Sequence, residues 1–180
     1  GKKKDQAPAA TVEAEDGYSG MFPEILQWDE RWGYSPYGTS IIAVSGCGPT
    51  CVSMLVVGLT GDKTVTPSVV ADYATQNHYV DENNDTTWAF MTSGVEHWGL
   101  TWRESNGNES EIAKELEAGH PVICSMRPGD FTDIGHFIIL TSYNNGNVTI
   151  CDPFSLENSK KSWNYSQISS QIKAVWVYSK

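Results

Sequence analysis

The stretch SGCGPTC, Ser45–Cys51, constrains this chain more than any other. Cys47 stands between two glycines, and Pro49 follows where a helix can begin without losing a useful N–H. Val52, Leu55, Val56 and Leu59 then recur at helical spacing, which predicts a buried helix from Cys47 to Leu59, ended by Gly58 and Gly61. A cysteine at the front of a helix meets about half a positive charge and several unpaired N–H groups. Both favour thiolate over thiol, and a nearby imidazolium adds to the effect. The flanking glycines leave room for a carbonyl beside the sulfur and the Cys47 N–H, as nucleophilic acyl transfer requires. Taken alone, Cys47 reads more readily as a small buried residue at a helix start. Cys51, one turn on, points toward the core and reads as structural. A Cys47–Cys51 metal pair lacks two further ligands at suitable spacing, so neither a metal nor a cofactor is expected.

The 180 residues suit one domain. Residues 1–20 carry few large apolar side chains and predict a flexible tail or linker, with the compact domain spanning 21–180. The chain starts at Gly1 rather than Met, which leads us to expect a signal or anchor segment upstream. Thr66 and Pro67 open a second helix to about Gln76. Thr86 or Thr87 opens a third, Trp88 to Trp98, stopped by Gly99. Asn108 with Glu111 reads as a capping box, opening a fourth helix that stops at Gly119. Beyond it, His120–Met126, Gly135–Tyr143, Asn147–Asp152 and Lys173–Tyr178 read as strands. Helices first and antiparallel strands second define an α+β fold.

Four histidines are present. His78 lies in a polar stretch, His97 ends a helix and His120 sits in a turn. His136 differs, because it follows Gly135 and opens the apolar strand HFIILTSY. The next strand ends in Asp152-Pro153. A two-residue turn would set Asp152 opposite Ile139, on the face away from His136. A three-residue loop, Asn144–Gly146, sets it opposite Ile138 and makes His136 and Asp152 diagonal neighbours, roughly 7–8 Å apart at the backbone. We therefore expect the three-residue loop, with Asp152 orienting the imidazole. Cys124 and Cys151 lie on predicted strands, where they either face each other as a disulfide or remain two buried thiols.

With 12 basic and 22 acidic residues the formal charge is −10, which argues against nucleic acid and anionic lipid as partners. No apolar run is long enough to insert in a membrane. Four cysteines are too few for a disulfide scaffold. The acidic balance and the Asn/Thr/Ser-rich loops lead us to expect a secreted or surface-tethered bacterial protein, monomeric by size.

GCGPTC opening a helix, GHFIIL, and a strand ending in Asp-Pro together resemble the papain-like cysteine peptidases. The nearest likeness is to the bacteriocin-processing (double-glycine) peptidases and their stand-alone bacterial relatives, over residues 24–178. The resemblance implies N-terminal helices packed on a C-terminal antiparallel sheet, and a peptide or protein substrate. It makes Cys47 the nucleophile, His136 the base and acid, and Asp152 the orienting residue. It also implies an oxyanion-binding Gln upstream. Gln27, in LQWDERWG, matches that role through the Q-W-D-x-x-W pattern of the stand-alone relatives, although it lies further from Cys47 than in the bacteriocin-processing members. The transporter role of those members is not expected of these residues. Trp98, Trp102 and Trp163 are candidates for the edge of the site. The same triad would also serve a cell-wall amidase or an acyl or peptidyl transferase. A non-catalytic surface module keeping the fold would instead occlude Cys47 or lock it in a disulfide.

Overall fold

The computed structural model describes residues 10–13 and 16–180. Its centre is helix α1, Cys47–Thr60, buried almost all round from Gly48 to Val57. The expected start at Cys47 holds. The helix continues through Gly58, where the Phe22 ring packs against bare backbone, and stops at the left-handed Gly61. Helix α2, Pro67–Gln76, begins as its sequence dictates, with the Thr66 side chain accepting from the Val69 N–H. The third expected helix breaks. Trp88–Met91 forms one turn, Thr92 leaves helical angles, and Ser93–Trp98 continues as 3-10 helix before the left-handed Gly99. Thr, Ser and Gly at the break are weak helix formers. Helix α3, Glu109–Glu117, is capped by the Asn108 side chain. Glu111 pairs with Arg103 instead of closing the expected capping box.

Six strands form one sheet: β1 Thr101–Ser105, β2 Val122–Met126, β3 His136–Asn144, β4 Asn147–Cys151, β5 Ser162–Asn164 and β6 Ile172–Ser179. Their spatial order is β1-β6-β2-β3-β4-β5, and every neighbouring pair is antiparallel. Alternation sorts the side chains. Ile123, Phe137, Ile139, Cys151, Trp176 and Tyr178 join the core formed with α1. Cys124, Ile138, Leu140, Ile150, Val175 and Val177 join a second core, closed by Ile112 and Leu116 of α3 and by Tyr165 and Ile168. The fold is thus α+β, with the N-terminal helices on one face of the sheet and α3 on the other. Cys124 and Cys151 lie in different cores, separated by β3, and all four cysteines are free thiols. They do not face each other, because adjacent register positions on antiparallel strands point to opposite sides.

The β3–β4 hairpin corrects the expected loop. Asn144 pairs with Asn147, and the turn has two residues, Asn145 (φ 49°) and Gly146 (φ 84°), both left-handed. That is the turn whose twist suits two-residue hairpins. The register then shifts between Leu140 and Ser142, leaving Thr141 as a bulge. Beyond the bulge Ile139 pairs with Cys151. Continuing this register sets Asp152 opposite Ile138, as expected, by a different device.

The expected tail also needs correction where it is described. Residues 1–9, 14 and 15 lie outside the described residues. Val12 is 1% exposed within the main core, and its N–H donates to the Lys63 carbonyl. Asp16 pairs with Arg31 at 2.7 Å, and Tyr18–Ser19 forms a short ladder with Phe22–Pro23. One well-placed valine and one ion pair dock a stretch whose average composition is polar. Among the described residues no helix is long and apolar enough to cross a membrane.

Candidate active site

Cys47 is the first residue of α1, carried there by the short helical turn Ile42–Ser45 and Gly46. Its partner glycine is sterically required: a Cβ on Gly48 would lie 2.1 Å from the Thr86 hydroxyl oxygen. Cys47 is half-buried and opens into two cavities, one of about 770 Å³ and one of about 250 Å³. His136, first residue of β3, lines both with it. The His136 Nε2 lies 2.7 Å from Asp152 Oδ1, and the two side chains are 9% and 1% exposed. Burial is the largest single influence on the imidazole and opposes its charge. The hydrogen bonds to Asp152 and Cys47 and the attraction of both groups outweigh it, pushing the imidazole up from 6.5 to about 10.

Asp152 is held by hydrogen bonds from its own segment besides the register. Its Oδ1 accepts from the Phe154 N–H as well as from His136, its Oδ2 accepts from Asn158 Nδ2 at 3.0 Å, and its own N–H donates to Ser159 Oγ at 2.8 Å. Asn158 is fixed in turn, since its carbonyl accepts from Trp163 Nε1 and its N–H donates to Ser155 Oγ. The sequence reading missed Asn158 and Ser159. The signal available was Ser155 ahead of Leu156–Lys160, a helix cap placing the next polar residues one turn behind Asp152.

Gln27 reaches the same place from a distant part of the chain. It is 3% exposed and lines the larger cavity with Cys47 and His136. Its backbone N–H donates to the Pro153 carbonyl at 2.7 Å, tying it to the Asp152 segment. Its Nε2 donates to the carbonyls of Ile42 and Ala43, on the turn that delivers Cys47. Its Oε1 is buried and makes no hydrogen bond among the described residues. The motif around it acts as an anchor: Trp28 Nε1 donates to the Phe154 carbonyl, Trp32 Nε1 to the Leu26 carbonyl, and Asp29 pairs with Arg31.

All four sequence-derived candidates therefore come together: Cys47, His136 and Gln27 line one cleft, and Asp152 is buried behind His136. The other histidines do not: His78 is exposed with positive φ, His97 stacks on Tyr73, and His120 pairs with Glu115. Trp98 packs against Tyr73 and Phe90, and Trp102 lines a separate hollow with His120. Trp163 touches the site indirectly, through Asn158 and by packing on Phe131 of the larger cavity's wall. Trp88, not expected there, forms a wall of the smaller cavity. Among the described residues no three His, Cys, Asp or Glu side chains are grouped to hold a metal.

An antiparallel sheet under a central helix whose first residue is a cysteine is the architecture of the papain-like cysteine peptidases. The chain belongs to the Peptidase C39 like family, whose model matches residues 15–180. The fold is similar to that of the peptidase domain of Streptococcus ComA, a bifunctional ABC transporter involved in a quorum-sensing pathway. The TM-score there is 0.58 at 12% identity, over 76% of this chain and 93% of that one. It is also similar to a Bacillus anthracis protein described as a C39-like peptidase, with TM-score 0.50 and 17% identity over 95% and 98% of the two chains. No curated protein matches the sequence. Family and fold are those of cysteine peptidases.

Proposed function

We propose that this protein hydrolyses peptide or amide bonds through a Cys47–His136–Asp152 triad. One observation carries the reading: a partly open cysteine and a shielded histidine share the floor of a cleft, and the histidine is tied at 2.7 Å to a buried carboxylate. With Nε2 committed to Asp152, the imidazole's Nδ1 serves the sulfur. His136 takes the Cys47 proton, or already holds it in a resting thiolate–imidazolium pair, and the sulfur attacks the substrate carbonyl carbon. The oxyanion is received by the Cys47 N–H and by Gln27 Nε2, which gives up one of its two long bonds to the Ile42 and Ala43 carbonyls to do so. The C–N bond then breaks, and the His136 proton goes to the leaving amine. Water, deprotonated by His136, attacks the thioester and releases the acid. Asp152 stabilises the imidazolium throughout, and its own orientation is kept by Asn158 and the Phe154 N–H.

The free, partly exposed Cys47 supports an enzyme over a module that has retired its nucleophile. Iodoacetamide labelling at pH 6, followed by mass spectrometry, tests the reading. Cys47 is expected to label far faster than a model thiol, and His136→Ala should remove most of that advantage. Labelling at the model-thiol rate, unchanged by His136→Ala, would reject the triad.

A further inference from the structure

We propose that the smaller cavity beside Cys47 binds a carboxylate on the substrate, held by Lys173 and Ser125. The proposal rests on reading Cys47 as the nucleophile. The cavity floor is Ser125 on β2 and its register partner Phe137 on β3. Ser125 alternates with Ile123 on the face that packs under α1, where the pattern calls for an apolar side chain. It is only 7% exposed, and its hydroxyl makes no hydrogen bond among the described residues. A hydroxyl facing the cavity and uncommitted to the protein is free to donate to a bound carboxylate.

Lys173 reaches the same cavity through a second irregularity. Ile172 pairs with Met126 and Ala174 with Ser125, so Lys173 is the extra residue of a bulge in β6. Bulges re-aim side chains, and this one sets Lys173 on the cavity wall with its ammonium 5.7 Å from the Trp88 ring centre. No carboxylate among the described residues lies within ion-pair distance of it. Arg127, in the adjoining cavity that shares Ser125 and Lys173, also has no carboxylate partner. Lys173 thus stands in the nucleophile's smaller cavity, and Arg127 in the hollow that adjoins it. Asp85 lines the cavity too, but it is shared with the larger cleft, whereas Lys173 is shared with the hollows beyond. The two charges therefore mark opposite ends. A ligand whose methylenes lie against Trp88 and Phe137 delivers its carboxylate to Lys173 and Ser125, away from Asp85.

Either an acidic side chain or a free chain terminus supplies that carboxylate. Three small thiol-alkylating reagents separate them: the N-bromoacetyl derivatives of glutamine α-amide (neutral), glutamic acid α-amide (side-chain carboxylate) and glutamine (α-carboxylate). Cys47 labelling rates are read by mass spectrometry. A charged reagent should outpace the neutral one by about two- to fivefold, the range expected of a half-exposed ion pair, and the faster of the two identifies the source. Lys173→Met should remove the advantage and Lys173→Glu invert it, while Lys63→Met, which changes net charge equally at an exposed site, should keep it. Equal rates for all three reagents, or a loss with Lys63→Met as large as with Lys173→Met, would overturn the carboxylate pocket. His136→Ala reports separately on the triad, because it should slow all three reagents alike and leave their ratios unchanged.

Discussion

At the scale of single residues, the site holds a charge on a side chain that is only 9% exposed. His136 is held protonated against its own desolvation by Asp152 and Cys47, up to about 10 from 6.5. A histidine raised on folding stabilises the native state fully below its unfolded value, and that contribution fades as pH rises through the folded one. The window here runs from about pH 6.5 to about pH 10. Thermal unfolding of wild type and His136→Gln across that range should show the wild-type midpoint falling relative to the variant as pH rises. Parallel curves would mean that the imidazole carries no such charge in the folded state. Asp152 is the group that makes the charge tolerable, and its carboxylate is oriented by hydrogen bonds from His136, the Phe154 N–H and Asn158.

Elements rather than residues decide whether His136 and Asp152 meet, and the deciding element is a bulge. The two-residue turn Asn145-Gly146 by itself would pair Asp152 with Ile139. Thr141 restores the other register by dropping out of the ladder. Inserting one glycine beside Thr141, so that Thr141 re-enters the ladder opposite Ile150, should therefore leave the tight turn able to close while moving Asp152 opposite Ile139, to the wrong face. The expected outcome is Cys47 labelling at pH 6 reduced to the His136→Ala level, with far-ultraviolet circular dichroism still native. Labelling at the wild-type rate would show that the register does not set the contact. This also marks what a sequence discloses. Helix starts were legible because Pro49, Thr66 with Pro67, and Asn108 act on their own backbone neighbours. Cys47, His136 and Asp152 were legible because each opens or closes an element. Thr141 was not, since its hydroxyl bonds Ser19 and Thr149, one of them 122 positions away. Strand β1 was missed because as an exposed edge it shows no apolar alternation. Ser125 and Lys173 were missed because their meaning depends on which strands become neighbours.

The whole molecule extends the same dependence to its N-terminal segment. Ser19, at the bulge, belongs to a stretch that Val12 and the Asp16–Arg31 pair fasten to the core. Arg31 also binds Asp29, two residues from Gln27, so one guanidinium links the N-terminal segment to the cleft's far wall. Fastening of this kind is a matter of apolar burial first, because the ion pair is partly exposed and screened by solvent. Val12→Ala should cost about 1–2 kcal/mol, a fall in melting temperature of about 2–8 °C for a chain of this size. Asp16→Ala should cost less than about 1 kcal/mol. Neither change removes a group that touches sulfur or imidazole, so the His136-dependent labelling of Cys47 should survive both at temperatures below the transition. If Val12→Ala leaves the melting temperature unchanged, the segment is not part of the folded unit and the domain starts nearer Met21. If it instead abolishes labelling while the protein remains folded, the segment controls the cleft through Ser19 and Thr141, and the hairpin register depends on a contact made from the opposite end of the chain.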